Sequence, residues 1–128
     1  MQDKNNPLSP HLQIYKWQIS SLLSITHRIV GVINIFAITV ICFLSLSLLL
    51  GVESYEITHN FFKSFFGKFM VVSICWTFSF HILNELRHLL WDLGYGFDLK
   101  VARMTGVIAL LGSFILTILF YLIGKNIF

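Results

Sequence analysis

Hydrophobic residues run through this chain in three long segments, at about residues 27–51, 64–91 and 101–124, separated by short polar stretches. Each segment is long enough to cross about 30 Å of hydrocarbon as a helix that rises about 1.5 Å per residue. A more polar N-terminal arm, residues 1–20, precedes them, and Pro7 and Pro10 prevent a helix at its start. The pattern predicts an all-α integral membrane protein, a single domain over residues 1–128 with three transmembrane helices.

Composition supports a membrane protein, because 56% of the residues are hydrophobic, only 12% are charged, and the mean hydropathy is +0.79. The net charge of +3 comes from dispersed basic residues that flank apolar segments, which argues against nucleic-acid binding. Cys42 and Cys75 stand singly, so they form neither a zinc nor an iron–sulfur motif. The first apolar run begins too far into the chain for the core of a signal peptide, and we expect no cleavage.

Basic residues are distributed unevenly between the two sides that three spans create. Six belong to the side of the N-terminus and three to the other side: Lys4, Lys16, Arg28, Arg87, Lys100 and Arg103 against Lys63, Lys68 and Lys125. By the positive-inside rule, the N-terminus is expected in the cytoplasm or mitochondrial matrix.

Two connections join the predicted spans. Residues 51–60 are expected to form a short polar link, and residues 61–68 to supply aromatic and cationic anchors at the membrane interface. Gly94 and Gly96 follow the second segment and are placed to end its helix and turn the chain.

Polar and aromatic residues at the start of the first segment have helical spacing. Trp17, Ser21, Ser24 and Arg28 follow one another at intervals of four, three and four, which places them on one helical face. They are either an interfacial tryptophan, serines bonded to the preceding turn and a snorkelling arginine, or a polar ligand pocket.

The second segment carries ionisable residues in its C-terminal half. His81 lies eleven residues before Asp92, or ~16 Å along a helix, which is about half the hydrocarbon thickness. An imidazole at that depth requires a partner, which is an interhelical hydrogen bond, a proton path or a metal.

Basic residues near the inner surface narrow these alternatives. His27 and Arg28 on the first segment, with Arg87 and His88 on the second, suit a haem standing upright between helices, with His81 at the iron and the propionates toward the basic rim. Alternatively, His81, Glu85 and His88 share one helical face and are half of a carboxylate-bridged metal site, although the chain lacks a second Glu-x-x-His.

Three motifs carry a resemblance to a known family. They are Ser9-Pro10-His11-Leu12 with Ile14, Tyr15 and Trp17, then Ser24-Ile25 with His27-Arg28 and Gly31, and then His81 with Arg87-His88-Leu89, Trp91-Asp92 and Gly94. With these three motifs in this order, the chain resembles the cytochrome b subunit of succinate dehydrogenase, which is respiratory complex II. The resemblance covers nearly the whole chain.

The resemblance implies the larger of two small membrane anchors, a subunit with no dehydrogenase activity of its own. Its partners would be the second anchor, the iron–sulfur subunit and the flavoprotein subunit, in the bacterial plasma membrane or the mitochondrial inner membrane. The two anchors would pack together and carry a haem b and a site where ubiquinone is reduced. A purely structural anchor, without a haem or quinone role, is the alternative.

The resemblance also implies roles for particular residues. His81 matches an axial haem ligand, with the second ligand coming from the other anchor. The propionate rim would be His27, Arg28, Arg87 and His88, and the quinone pocket would be Trp17, Ser21, Ser24, Ile25 and Arg28. Ser24 would donate a hydrogen bond to a quinone carbonyl, Arg28 would stabilise negative charge during reduction, and Trp17 would close the mouth.

Glu85 departs from the family pattern, which usually has glycine four residues after the axial histidine. A carboxylate one turn from the iron requires a neutralising partner or a different orientation. We expect Glu85 either to pair with a basic residue of the partner anchor or to mark a variant with altered or absent haem.

Overall fold

The computed structural model describes residues 17–49 and 51–127, and the predictions that concern residues 1–16 lie outside this range. Four helices make up the described fold: α1 at Ile19–Leu49, α2 at Val52–Lys63, α3 at Phe65–Asp92 and α4 at Leu99–Ile127. The described ranges contain no β-strand. The predicted all-α architecture is confirmed.

Three of the helices, α1, α3 and α4, are long and apolar enough to cross a membrane. With 31, 28 and 29 residues, they measure about 42–46 Å at about 1.5 Å per residue, which exceeds the hydrocarbon thickness. The first helix begins at Ile19, inside the stretch expected as an arm. Its polar residues do not interrupt it, because hydroxyls bond to the preceding turn, as Thr26 does to the Leu22 carbonyl at 2.9 Å.

The connection between α1 and α3 corrects one expectation. Residues expected as a short polar link form the 12-residue helix α2. Gly51 separates α2 from α1 with a backbone φ of 115°, a conformation that favours glycine. Ser64 then begins α3, since its hydroxyl accepts a hydrogen bond from the Gly67 N–H at 3.2 Å.

The turn after α3 agrees with the sequence prediction. Gly94 has a φ of 86° and its N–H donates to the Trp91 carbonyl at 2.8 Å, while the Tyr95 N–H donates to the Leu90 carbonyl at 3.0 Å. This pair of bonds is a Schellman motif, which ends a helix at a glycine in the left-handed conformation. It directs the chain back along α3 as α4.

α3 is the central element, because its contacts with the other three helices are the most extensive. Its Phe80 is fully buried and packs with Leu23 and Val30 of α1. Small residues on α4 permit close packing, as membrane helices require. A Cβ at Gly106 would overlap the Leu23 side chain, and Ser113 is fully buried.

Candidate functional site

Two histidines meet where the first half of α1 lies beside the second half of α3. The rings of His27 and His81 stack, with centroids 4.4 Å apart and planes 18° from parallel. Gly31, one turn after His27, borders this contact, since a Cβ there would lie 3.4 Å from His81 Cε1, at van der Waals distance. The His81 imidazole therefore lies directly against α1.

Glu85 turns toward this histidine pair. Its Oε1 lies 3.1 Å from His27 Nε2 and 3.7 Å from His81 Nε2, and its side chain is 55% exposed. This partner lies within the chain itself and is neither of the two outcomes expected from the sequence, because the carboxylate faces His27 across the α1–α3 interface.

The histidine pair retains unused polar atoms. His81 Nδ1 and His27 Nε2 are buried, and neither makes a hydrogen bond within the described part of the chain. The 3.1 Å contact of His27 with Glu85 is in ion-pair range but does not have hydrogen-bond geometry. Buried polar atoms of this kind usually find a partner, so this interface is chemically incomplete.

Donor atoms of His27, His81 and Glu85 all lie within 4.8 Å of one another. Two imidazoles and one carboxylate are a donor set that suits divalent transition metals. The sequence suggests His81, Glu85 and His88 as such a group, but in the structure His27 is the third member. His88 instead lies with its ring 5.3 Å from that of His27.

Arg87 directs its guanidinium toward α4. It is buried, and its guanidinium donates to Thr105 Oγ1 at 3.2 Å, to Asn84 Oδ1 at 3.4 Å and to the Ala102 carbonyl at 2.7 Å. Its Cζ also lies 4.2 Å from the centroid of the Trp91 ring. These contacts fasten α3 to α4, a structural role that sequence spacing does not reveal.

A cavity of about 460 Å³ opens between α1 and α3 beside the histidines. Eight residues line it: Ser20, Ser21, Ser24, Ile25, Arg28, Arg87, His88 and Trp91. Four of the five residues predicted for a quinone pocket are therefore brought together. Trp17, the fifth, lies just before α1, is 68% exposed and is not part of this lining.

Sequence reasoning missed two members of the cavity, Ser20 and Trp91. Both have a spacing signal that was available, because Ser20 is four residues before Ser24 and Trp91 four residues after Arg87. His88 connects the cavity to the histidine pair, since its ring lies 5.2 Å from Trp91 and 5.3 Å from His27. Hydroxyls, a guanidinium and an aromatic wall can bind a flat ligand that carries oxygen atoms.

Comparison with known proteins identifies the family of this chain. The family model described as succinate dehydrogenase/fumarate reductase transmembrane subunit matches residues 2–120. The chain is 38% identical over 116 residues to the succinate dehydrogenase cytochrome b556 subunit of Rickettsia felis, and 90% of each chain is covered. It is 37% identical over 123 residues to the cytochrome b560 subunit of Marchantia polymorpha, covering 90% of this chain and 88% of the relative. The cytochrome b556 subunit of Paracoccus denitrificans is 30% identical over 115 residues, with 90% and 88% covered.

Proposed function

This chain belongs to the succinate dehydrogenase/fumarate reductase transmembrane subunit family, and we propose that it is the cytochrome b anchor of a succinate:quinone oxidoreductase. In this role it forms part of the ubiquinone-reduction site and supplies one ligand to a haem b. Its partners are a second small anchor, the iron–sulfur subunit and the flavoprotein subunit. Succinate is oxidised on the soluble subunits, and this chain itself carries no dehydrogenase activity.

The observation that carries the quinone role is the cavity between α1 and α3. Its wall combines hydroxyls, one exposed guanidinium and an indole in about 460 Å³, a volume in the range of small-molecule sites. The family resemblance assigns Ser21, Ser24, Ile25 and Arg28 to the same site for an independent reason. The lining of the cavity and the family resemblance therefore both support the same quinone site between α1 and α3.

Ser24 and Arg28 are suited to the chemistry of quinone reduction. A hydroxyl donor aligns and polarises a quinone carbonyl, and a guanidinium stabilises the negative charge that develops on oxygen as electrons arrive. Arg28 is exposed to the cavity, whereas Arg87 behind it is held by α4. We assign charge stabilisation to Arg28 and positioning of the wall to Arg87.

Substitution within the assembled complex tests the quinone role. We expect Ser24→Ala to lower kcat/KM for ubiquinone about tenfold, as the loss of one hydrogen bond does, and Arg28→Gln to lower it about a hundredfold. Succinate–dye activity should be retained, because the soluble subunits are unchanged.

Thr39→Val is the matched control, since it removes a hydroxyl from α1 that bonds only to the Ile35 carbonyl at 2.9 Å. Unchanged quinone reduction in both cavity variants would support the alternative of a purely structural anchor.

The residues of the histidine pair fit a haem, with one adjustment. His81 has a buried Nδ1 without a partner within the described residues, and Gly31 presents no side chain to its ring. Its Nε2 faces Glu85 at 3.7 Å, so the half-exposed carboxylate has to rotate away for a metal to approach. A haem b bound here supplies one-electron storage beside the quinone site. His27, Arg28, Arg87 and His88 would provide positive charge near its propionates.

A reduced-minus-oxidised optical spectrum of the purified complex tests the haem role. We expect a b-type band in the native complex and its complete loss in His81→Leu, with the chain still present in the membrane. His59→Leu is the control, because His59 lies on α2 beside the end of α1 that is remote from the histidine pair. A native complex without a b-type band would contradict the assignment.

A further inference from the structure

A second groove lies at the end of the bundle opposite the histidine pair, where α1, α2 and α3 meet. It encloses about 770 Å³. Its floor is apolar and includes Ile41 and Leu44 of α1, Phe62 of α2 and Val71 of α3. A volume of this size between helices accommodates hydrocarbon chains rather than a single ion.

The rim of this groove is polar and cationic. Tyr55 and His59 of α2 line it with their rings stacked at 5.5 Å, and the exposed Lys63 and Lys68 complete it. No acidic side chain lines the groove within the described residues. The rim therefore has an uncompensated positive charge directly above an apolar floor.

Helix α2 produces this separation of charge through its sequence. At about 100° per residue, Tyr55, His59 and Phe62 project to one face, and this face lines the groove. Glu53 and Glu56 lie on other parts of the helix and outside the lining. The lining that α2 contributes to the groove is therefore free of acidic side chains.

The elbow between α2 and α3 holds the two lysines in a fixed relation. Ser64 caps α3, and a Cβ at Gly67 would overlap the Phe61 carbonyl oxygen and the Phe62 Cα, so the backbones of the two helices are in direct contact. Lys63 precedes this elbow and Lys68 follows it. The backbone positions that carry the two lysines are therefore held in place by the contact between α2 and α3.

We infer that this groove binds an anionic phospholipid, with its phosphate between Lys63 and Lys68 and its acyl chains along the apolar floor. Lysine side chains at a membrane interface direct their ammonium groups to the headgroup layer. Each lysine near an anionic headgroup contributes attraction that corresponds to about fivefold in affinity. The groove adds a defined place for the hydrocarbon, which scattered interfacial lysines lack.

Native mass spectrometry of the intact complex tests this proposal, with phosphatidylglycerol and phosphatidylcholine of identical acyl chains as the probes. We expect one more phosphatidylglycerol than phosphatidylcholine to be retained per copy of this chain. Lys63→Gln with Lys68→Gln should weaken retention of that lipid about 25-fold, taking about fivefold for each lysine. Replacement of both lysines by arginine, which keeps the charge and the fold, should preserve it.

The matched control is Lys100→Gln with Arg103→Gln, which removes two exposed cations from the opposite end of the bundle. This control should retain the lipid as the native complex does. Equal retention of the two lipids by the native complex, or unchanged retention in the Lys63/Lys68 glutamine variant, would overturn the proposal.

Discussion

The two long faces of α3 differ in how their ionisable groups are paired. Toward α4, the buried Arg87 donates to three acceptors and stacks on Trp91. Two neutral atoms there, Nδ2 of Asn84 and Nε1 of Trp76, whose ring stacks on Phe114 of α4, have no partner within the described residues. Toward α1, His27 Nε2 and His81 Nδ1 make no hydrogen bond within the described residues. The ionisable group at the α3–α4 interface is therefore satisfied within the chain, whereas those at the α1–α3 interface have polar atoms available for a ligand.

The difference separates structural from functional polarity. A buried polar atom without a partner costs about 1–3 kcal/mol, so a protein retains such atoms where another molecule can satisfy them. Arg87 is the more highly charged group, yet its contacts are internal. The charge of Arg87 therefore does not make it part of the ligand site, whereas the unpaired nitrogens of His27 and His81 make the histidine pair a candidate.

The largest effect on stability is expected when the hydrogen bonds of Arg87 at the α3–α4 interface are removed. Arg87→Ala removes three charge-assisted bonds and the contact with Trp91, and we expect a loss of about 2–4 kcal/mol in stability. The midpoint of thermal dissociation of the purified complex measures it. Arg103→Ala, at an exposed arginine of α4, is the control and should change stability by less than about 0.5 kcal/mol. Equal midpoints for the two variants would show that Arg87 does not fasten α3 to α4.

A smaller effect of opposite sign is expected at a buried amide of α1. Asn34 is 6% exposed, and both of its side-chain amide atoms lack a partner among the described residues. We expect Asn34→Leu to stabilise the chain by about 1 kcal/mol, because it replaces an unsatisfied group by an apolar one with the same branching. The same thermal measurement applies.

Thr117→Val of α4 provides the matched comparison for Asn34→Leu. Thr117 is equally buried, but its hydroxyl donates to the Ser113 carbonyl at 2.6 Å. We expect this substitution to destabilise by about 0.6 kcal/mol, a typical value for a hydrogen bond in a membrane bundle. A shift of the midpoint in the same direction for both substitutions would contradict the expected difference between an unsatisfied and a hydrogen-bonded buried group.

The sequence predicts the fold correctly where the prediction rests on the length of an apolar segment or on the position of a glycine. Three apolar segments gave three long helices, and Gly94 ends α3 as expected. Helix α2 was not expected, because Gly51 at its N-terminus has no side chain to provide a capping signal. The sequence of this polar 12-residue stretch therefore predicts a link. Its helical structure depends on packing against α1 and α3, which the sequence alone does not show.

The sequence predicts the cavity in part, for a related reason. Spacing on a single helix correctly places Ser21, Ser24 and Arg28 on one surface. Spacing does not determine which neighbouring helix a side chain faces, so it did not distinguish Arg87, which bonds to α4, from His88, which lies near His27. It likewise left open the partner of Glu85, which the structure identifies as His27.

The smallest stability effect is expected for Glu85→Gln. The carboxylate contacts His27 at 3.1 Å, but with 55% of its side chain exposed the pair is screened, and exposed ion pairs contribute about 0–1 kcal/mol. Glutamine has nearly the same shape and keeps an oxygen toward His27, so thermal dissociation should shift by less than 1 kcal/mol. A larger loss would mean that a partner subunit covers Glu85, because only a desolvated charge pair is that sensitive to losing one member. In that case the contact between His27 and Glu85 would be a buried pair within the assembled complex, and the α1–α3 interface, like the α3–α4 interface at Arg87, would be held by an ionisable group paired within the chain.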